Sequence, residues 1–358
     1  MIDNLNVKKV LITGILGQDG SNMAEFLLNE TDCYVYGMMR RSANPNYINT
    51  LSFRDHERFN FVFGDLTDEV SINNLIIKIG PDYLINFAAN SFVGISWEMP
   101  MQVFDVNTLG VLRCLEAVKK YSPKCRIYSA GSSEEFGDVD YSPQDLKHPI
   151  KPRSPYGASK ASARHLIKVY RESYNMYAVH GILFNHEGIR RGEEFVSRKI
   201  TKGAARIAKS IKEGCLFSPL ELGNIDSKRD FSNSKDIIKG VWLMLNQSKP
   251  KDYLLASGET HSIREFVEKA FYFAGVKGYW NKKGVEEEFC LGEPCGEEDI
   301  NYANVLVKIN PMFYRPAEVD VLMGDPRQAI EELGWKPSGS FDLLVKEMVE
   351  YDVAMEYK

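Results

Sequence analysis

A tyrosine and a lysine four residues apart are the side chains in this sequence best suited to proton chemistry. Tyr156 and Lys160 follow directly after Pro155. Proline disfavours helix in the residue before it and is tolerated at the first helical position, so we expect a helix to begin here with both side chains on one face. A lysine ammonium favours the phenolate form of a nearby phenol, and we predict that Lys160 lowers the pKa of Tyr156 and makes it a general base. On its own, the pair is more typical of an ordinary surface helix.

A hydroxyl and a carboxylate lie two residues apart earlier in the chain. The run Arg126–Ala130 predicts a strand, and Ser132 and Glu134 come just after it. Side chains that follow a strand of a parallel sheet face bound ligands. A hydroxyl, a carboxylate and the Tyr156 phenol in one cleft would suit redox and proton chemistry at neighbouring carbon atoms. The alternative for Glu134 is an acid in a loop or at a helix N-cap.

Three glycines near the start of the chain predict a dinucleotide site. They form the pattern G-x-x-G-x-x-G between the apolar run Lys9–Thr13 and a helical pattern that includes Met23. Glycines at such a turn let the backbone approach a pyrophosphate at the N-terminus of a helix. The loop residues predicted to bind the cofactor are Gly14, Gly17, Gln18, Asp19 and Gly20. The alternative is a glycine turn without a ligand.

Two arginines follow the second predicted strand, at residues 34–37. An NAD site usually has an acid near this position for the ribose 2′-hydroxyl, whereas this chain has Arg40 and Arg41. Guanidinium groups suit a 2′-phosphate, so we predict that the cofactor is NADP. The alternative is that both arginines are solvated loop charges.

Strands and helices continue to alternate through the first half of the chain. We predict strands at 59–63 and 83–87 and a helix at 107–117, a βαβ series that indicates an α/β fold with a Rossmann-type doubly wound parallel sheet. Asp65 could accept a hydrogen bond from the adenine edge or could cap a helix. Further residues at strand ends that we assign to the cofactor are Leu66, Phe87, Ala88, Ala89 and Ser91.

The alternation loosens in the second half, which indicates a smaller, mostly C-terminal substrate-binding α/β domain. We expect a basic helix at 193–214, in which only Lys199 is singled out for binding, a last sheet strand at 252–256 and a helix from Ile263. Residues 282–288 are expected to form an exposed loop. The predicted division is a cofactor domain of residues 1–185 plus 225–258 and a substrate domain of residues 186–224 plus 259–358.

Composition excludes several classes of protein. The chain has 358 residues and a formal net charge of -5, which argues against nucleic acid or an anionic membrane surface as the main partner. No apolar run is long enough to span a membrane, and the N-terminus lacks the layout of a signal peptide. The six cysteines are scattered, so we expect free thiols in a cytoplasmic protein and assign no metal site.

Taken together, these motifs resemble the extended short-chain dehydrogenase/reductase family, and within it the GDP-mannose 4,6-dehydratase branch. The resemblance covers nearly the whole chain. Its most specific segments are Asn185-His186-Glu187 and Arg315-Pro316-Ala317-Glu318-Val319, supported by Tyr156-x-x-x-Lys160, Arg40-Arg41 and the glycine loop.

The resemblance implies a catalytic role for each member of the cleft. Tyr156 would take the proton of the sugar O4 while a hydride passes from C4 to NADP⁺, and Lys160 would hold the nicotinamide ribose and lower the pKa of Tyr156. Glu134 would remove the C5 proton so that water leaves from C6, and Ser132 would assist at O4. Return of the hydride to C6 would give a 4-keto-6-deoxy sugar without net consumption of the cofactor.

The resemblance also implies ligand contacts and partners. His186 and Arg191 would contact NADP. The residues implied at the nucleotide sugar are Ser91, Asn185, Val196, Lys199, Leu222, Gly223, Asn224, Arg229, Arg315 and Glu318. The implied substrate is GDP-mannose, and the implied assembly is a homodimer or a homotetramer.

Departures from the family pattern leave the sugar open. Ser132 stands where the family has threonine, and Glu135-Phe136 replaces an apolar residue followed by tyrosine. A GDP-manno-heptose is therefore an alternative substrate. A sugar-nucleotide epimerase or reductase of the same fold is a second alternative, although it predicts no carboxylate at the position of Glu134. A third is a non-catalytic protein that senses NADP or serves as a scaffold.

Overall fold

The computed structural model describes residues 7–292, 304–314 and 321–357. Its strands are β1 Lys9–Thr13, β2 Tyr34–Met39, β3 Phe59–Phe63, β4 Tyr83–Asn86, β5 Arg126–Ala130, β6 Ala178–Leu183, β7 Asn185–Glu187, β8 Leu220–Leu222, β9 Lys228–Arg229, β10 Phe231–Asn233, β11 Tyr253–Leu255, β12 His261–Ser262, β13 Gly278–Asn281, β14 Glu288–Leu291, β15 Val305–Ile309 and β16 Val321–Leu322. Its α-helices are α1 Gln18–Glu30, α2 Glu69–Ile79, α3 Pro100–Phe104, α4 Gly110–Tyr121, α5 Pro155–Tyr174, α6 Val196–Glu213, α7 Ser234–Leu245, α8 Ile263–Phe273, α9 Arg327–Leu333 and α10 Phe341–Glu356.

A seven-stranded parallel sheet organises the first half of the chain. Its strand order is β11-β6-β5-β4-β1-β2-β3, which reverses direction beside β1 as in a doubly wound fold. In β1, Val10 and Ile12 face the core formed with α1 and α7, whereas Leu11 faces the core formed with α2, α4 and α5. Both faces of the sheet are therefore buried, which explains the apolar runs in its strands. The predicted α/β fold class is confirmed.

The helix predicted at Pro155 forms as expected. The Ser154 hydroxyl accepts a hydrogen bond of 3.0 Å from the Gly157 N–H, and the proline occupies the first turn, where it needs no donor. The single helix predicted at 107–117 is instead interrupted. A π-helical turn, Asp105–Leu109, joins α3 to α4, and it contains Asn107, whose side chain bonds to two other segments.

One strand of the second half was missed by the sequence-based prediction, whereas an expected loop and an expected strand are present. β6 was not predicted, although all six of its residues are buried and it pairs with both β5 and β11. The expected loop at 282–288 is the connection of an antiparallel hairpin between β13 and β14. The predicted strand at 252–256 is confirmed as β11, at the edge of the sheet.

A second core lies among α6, α8 and α10 and the mixed sheet β13-β14-β15-β8. Phe266, Phe271 and Met348 are fully buried in it. Three residues of the predicted second domain, Ala329, Leu333 and Trp335, pack into the core under the seven-stranded sheet instead. The exact division between the domains stays a prediction. Among the described helices, none is both long and apolar enough to cross a membrane.

Candidate active site

One large cavity lies at the carboxyl ends of the parallel strands. Its volume is about 1260 Å³, and its lining comes from both cores. We call the glycine loop, residues 87–91, residues 130–134, Tyr156 and Lys160 the strand-end wall. We call residues 191–199, 222–224 and 312–314 the opposite wall. Every predicted site residue that the structure describes lines this cavity, except Arg41. Arg315 and Glu318 lie outside the described residues.

The glycine loop is packed so tightly that side chains are excluded at two positions. Gly14 has φ +71°, and a Cβ there would lie 2.8 Å from the Ala88 nitrogen. A Cβ at Gly20 would lie 2.3 Å from the carbonyl oxygen of Gly14. Because Gly17 caps α1 without a side-chain bond, the first turn of that helix offers backbone N–H groups at the cavity. This cradle fits the pyrophosphate of a dinucleotide.

Two hydrogen-bonding side chains that the sequence did not single out hold the neighbouring loop. The Thr13 hydroxyl donates to Asn86 Oδ1 over 2.6 Å and accepts from the Ala88 N–H over 3.0 Å. Asn107 Oδ1 accepts from the Asn90 N–H over 2.8 Å, and its Nδ2 donates to the Ser159 hydroxyl over 3.1 Å. The only sequence signal for Asn107 is an amide within an otherwise amphipathic helical pattern.

The structure rules out one of the two alternatives for Asp65, while its contact with the adenine edge stays a prediction. Its carboxylate accepts from the Thr67 N–H (2.9 Å) and hydroxyl (2.8 Å), whereas Asp68 is the residue that caps α2. The capping alternative for Asp65 is therefore wrong. Arg40 and Arg41 are both exposed just after β2, but only Arg40 lines the cavity.

The strand-end wall brings together Tyr156, Ser132 and Lys160. The pKa of Tyr156 shifts in the direction opposite to the one predicted. Burial raises the pKa of Tyr156, and a hydrogen bond with the Ser132 hydroxyl lowers it in part. The Lys160 ammonium donates to the carbonyl oxygen of Ala130 over 2.8 Å and lies 5.8 Å from the centre of the Tyr156 ring. Burial lowers the pKa of Lys160 to about 8. The prediction that Lys160 brings the phenol into range is wrong here, because burial dominates.

Asp19 and His186 pair with each other beside the glycine loop. His186 Nε2 lies 2.9 Å from Asp19 Oδ2, and its Nδ1 lies 2.7 Å from the carbonyl oxygen of Phe184. Burial opposes the charged form of both groups, yet Asp19 raises the pKa of His186 and His186 lowers the pKa of Asp19. Both ring nitrogens face oxygen atoms, so the protonated form of His186 can donate to each of them and pair with Asp19.

The opposite wall places positive charges on aromatic rings. The Arg191 guanidinium lies 3.7 Å from the centre of the Phe195 ring, and the Lys199 ammonium lies 3.9 Å from that of Phe313. Burial lowers the pKa of Lys199. Arg229 is only 7% exposed and donates to the carbonyl oxygen of Lys228 over 2.9 Å. The aromatic partners were not predicted: Phe313 comes from a segment far from Lys199 in the chain, whereas Phe195 lies only four residues after Arg191.

Within residues 7–292, 304–314 and 321–357, no group of three or more His, Cys, Asp or Glu side chains could hold a metal ion. The cavity therefore offers a dinucleotide cradle next to a tyrosine, a serine and a carboxylate, facing a cationic and aromatic wall. Such a set of groups can bind a dinucleotide and a second anionic ligand and can move protons between them.

Comparison with known proteins places this site in a family. A family model described as "GDP-mannose 4,6 dehydratase" matches residues 11–348. The GDP-mannose 4,6-dehydratase of Vibrio cholerae serotype O1 is 41% identical over 98% of this chain and 94% of its own length. The human GDP-mannose 4,6 dehydratase is 42% identical over 96% of this chain and 91% of its own length.

A solved structure shares the fold at low sequence identity. The dTDP-glucose 4,6-dehydratase of Bacillus anthracis, in complex with NAD, superposes with a TM-score of 0.77 at 20% identity and covers 98% of each chain. The likeness confirms the architecture of the sheet and its flanking helices. The family match and the close relatives lead to one conclusion: this chain belongs to the GDP-mannose 4,6-dehydratase family.

Proposed function

We propose that this protein is an NADP-dependent GDP-mannose 4,6-dehydratase that converts GDP-mannose into GDP-4-keto-6-deoxy-mannose and water. The observation that carries the proposal is the position of Glu134. It lines the same cavity as Tyr156 and the glycine loop, in a chain of the dehydratase family. A simple oxidation or reduction needs a tyrosine but no carboxylate base, whereas an elimination needs both.

Each catalytic residue has a defined proton to move. Tyr156 receives the proton of the sugar O4 as a phenolate, a form that the hydrogen bond with the Ser132 hydroxyl favours because it lowers the pKa of the phenol. Glu134 removes the C5 proton, which is acidic once C4 is a ketone. A nicotinamide dinucleotide held by the glycine loop and Lys160 would supply reversible hydride transfer. No external reductant is consumed, because hydrogen removed at C4 reappears at C6.

The residues present fit a dinucleotide with a 2′-phosphate. The glycine cradle suits the pyrophosphate, and the Lys160 ammonium suits the nicotinamide ribose. The segment after β2 carries no acid, and Arg40 lines the cavity there. A guanidinium would bind a 2′-phosphate and would gain little from a 2′-hydroxyl, so we propose NADP rather than NAD.

The opposite wall suits the GDP part of the substrate. A diphosphate carries several negative charges, and Arg191, Lys199 and Arg229 supply cations at partly or fully buried positions. The flanking Phe195 and Phe313 rings exclude water from two of these cations and strengthen the attraction. We propose that these residues select a nucleotide sugar over a free sugar.

The proposal is tested by incubating the purified protein with GDP-mannose and, separately, with GDP-D-glycero-manno-heptose, without added NADPH. We expect a 4-keto-6-deoxy product from GDP-mannose. Product from the heptose alone would shift the assignment to the alternative substrate. Stoichiometric consumption of added NADPH would favour an epimerase or reductase, and two intact sugars would refute the dehydratase proposal. The predicted homodimer or homotetramer is checked by sedimentation with and without NADPH.

A further inference from the structure

Glu135 and His180 form a buried pair that the proposed function does not use. Both side chains are 0% exposed, and His180 Nε2 lies 2.9 Å from Glu135 Oε1. Removing ionisable groups from water is costly unless their hydrogen bonds are complete. In the described part of the chain, Glu135 Oε2 and His180 Nδ1 make no hydrogen bond. If the pair served only stability, we would expect its hydrogen bonds to be complete or apolar residues to stand in its place.

Glu135 holds the turn that carries two of the proposed catalytic residues. Its Oε1 also accepts a hydrogen bond of 2.9 Å from the Ser132 N–H, while the Ser132 hydroxyl accepts from the Glu134 N–H over 3.3 Å. This reciprocal capping box closes the short helical turn Ser133–Glu135. The Glu135 side chain thus fixes the backbone of Ser132, and the Ser132 hydroxyl in turn fixes that of Glu134.

The backbone is built to admit this contact. A Cβ at Gly131 would lie 2.3 Å from His180 Nε2 and 2.6 Å from Glu135 Oε1. Only glycine leaves room for both groups directly under the end of β5. The glycine at the end of β5 therefore makes room for the pair directly beside the catalytic turn.

The charge of Glu135 also acts on Lys160. Burial lowers the pKa of Lys160 to about 8, and the carboxylates of Glu135 and then Asp19 keep it from falling further. The titratable groups that share this environment are Asp19 from α1, Tyr128 from β5, Tyr156 and Lys160 from α5, and His180 from β6. Burial raises the pKa of the Tyr128 and Tyr156 phenols and so disfavours their charged forms. Asp19 and Glu135 are therefore the groups that favour the charged form of Lys160.

We propose that Glu135 is a positioning residue for the dehydration, an inference that rests on the proposed function. Its carboxylate, held in place by His180, fixes the turn at residues 132–134 and keeps the Lys160 ammonium charged in a buried site. The family resemblance places an apolar residue at position 135, so this pair is a feature of the present chain and not of the family pattern.

The first test is Glu135→Gln, which keeps an oxygen for the Ser132 N–H but removes the charge. We expect Lys160 to lose its proton about one pH unit lower than in the wild type. NMR of protein with ¹³C-labelled lysine, assigned with Lys160→Met, measures this directly and needs no substrate. The alkaline limb of the kcat profile should move down in pH by the same amount, while KM for GDP-mannose stays unchanged.

The second test is the double variant Glu135→Leu/His180→Leu, which removes both buried polar groups. We expect a melting temperature close to that of the wild type, because apolar packing in place of an incompletely bonded pair offsets the hydrogen bond that the Ser132 N–H loses. The alkaline limb of the kcat profile should shift as in Glu135→Gln. In addition, kcat should fall about fivefold below that of Glu135→Gln, because the Ser132 N–H loses its acceptor. A merely structural role would instead lower the melting temperature and leave the pH profile in place.

An unchanged Lys160 titration and an unchanged kcat profile in Glu135→Gln would overturn the inference. If the double variant does not fold, Glu135→Gln decides alone, since its side chain has nearly the shape of the original. If the wild type leaves GDP-sugars intact while the Lys160 titration shifts in the variant, the proposed function fails and the link between Glu135 and Lys160 stands.

Discussion

The strand-end wall and the opposite wall of the cavity hold their polar side chains in different ways. In the strand-end wall, the Lys160 ammonium donates to the carbonyl oxygen of Ala130 in β5, and a capping box fixes Ser132 in the turn that follows this strand. In the opposite wall, Lys199 rests on the Phe313 ring, and Arg191 lies over the Phe195 ring and pairs with Glu187 over 3.0 Å, both cations at partly exposed positions. Hydrogen bonds to fixed backbone define atomic positions more narrowly than cation–π contacts do.

The difference separates chemistry from recognition. Proton transfer requires that the reacting atoms are placed to within about 0.5 Å. The strand-end wall suits this requirement. Binding a flexible diphosphate tolerates adjustment, which suits the opposite wall. Changes in the first wall should therefore lower kcat, and changes in the second should raise KM.

Tyr156→Phe should have the largest effect, because it removes the group that accepts the O4 proton. We expect kcat to fall about 1000-fold, as is typical when a general acid or base is lost, with KM little changed. Steady-state assays of the 4-keto product measure this. Tyr174→Phe, an exposed tyrosine at the end of the same helix, is the matched control and should retain activity. If Tyr156→Phe mainly raised KM, this would contradict the assignment of chemistry to the strand-end wall and of recognition to the opposite wall.

Arg40→Ala should weaken NADP binding by about 10- to 100-fold, the usual value of a hydrogen bond to a charged group. NAD binding should stay the same, because NAD lacks the 2′-phosphate. Titration of both cofactors by calorimetry measures the difference. Arg41→Ala is the control, since Arg41 does not line the cavity, and its effect should be smaller. An equal loss for NAD and NADP would argue against the 2′-phosphate contact.

The pH profile of kcat should show an alkaline limb that belongs to Lys160. Burial holds the pKa of Lys160 at about 8, so the ammonium is charged below this pH and is lost as the pH rises through it. We expect activity to fall about tenfold per pH unit above that point. Lys199→Met is the control, because burial also lowers the pKa of that lysine. If the alkaline limb disappears in Lys199→Met, the limb belongs to Lys199 and the opposite wall, not to Lys160.

Lys199→Ala should have the smallest effect, a rise in KM for GDP-mannose of about three- to tenfold at unchanged kcat, since a partly exposed cation is removed. Phe313→Leu should act in the same direction but more weakly, because the ring shields the ammonium without binding the ligand itself. Lys202→Ala, whose lysine pairs with Glu193 on the exposed side of α6, serves as the control. A fall in kcat for Lys199→Ala would place chemistry in the opposite wall.

Much of the fold and of the strand-end wall was predictable because its signals are local. The apolar run before Gly14, the proline before Tyr156 and the four-residue spacing to Lys160 each act within one element. β6 escaped prediction because a short buried strand has no polar face and therefore no clear alternation. The break at Asn107 escaped because a π-helical turn has no sequence pattern of its own.

The sequence by itself determined the doubly wound sheet, the dinucleotide cradle and the set of groups available for proton chemistry, because each depends on residue types at short spacings. Only the tertiary structure decided the electrostatics of those groups. Burial raises the pKa of Tyr156 and lowers that of its neighbour Lys160 to about 8, whereas Glu135 and Asp19, from other segments of the chain, raise the pKa of Lys160. The pKa of a buried group depends on every charge packed around it, and those charges come from segments that meet only in the folded chain.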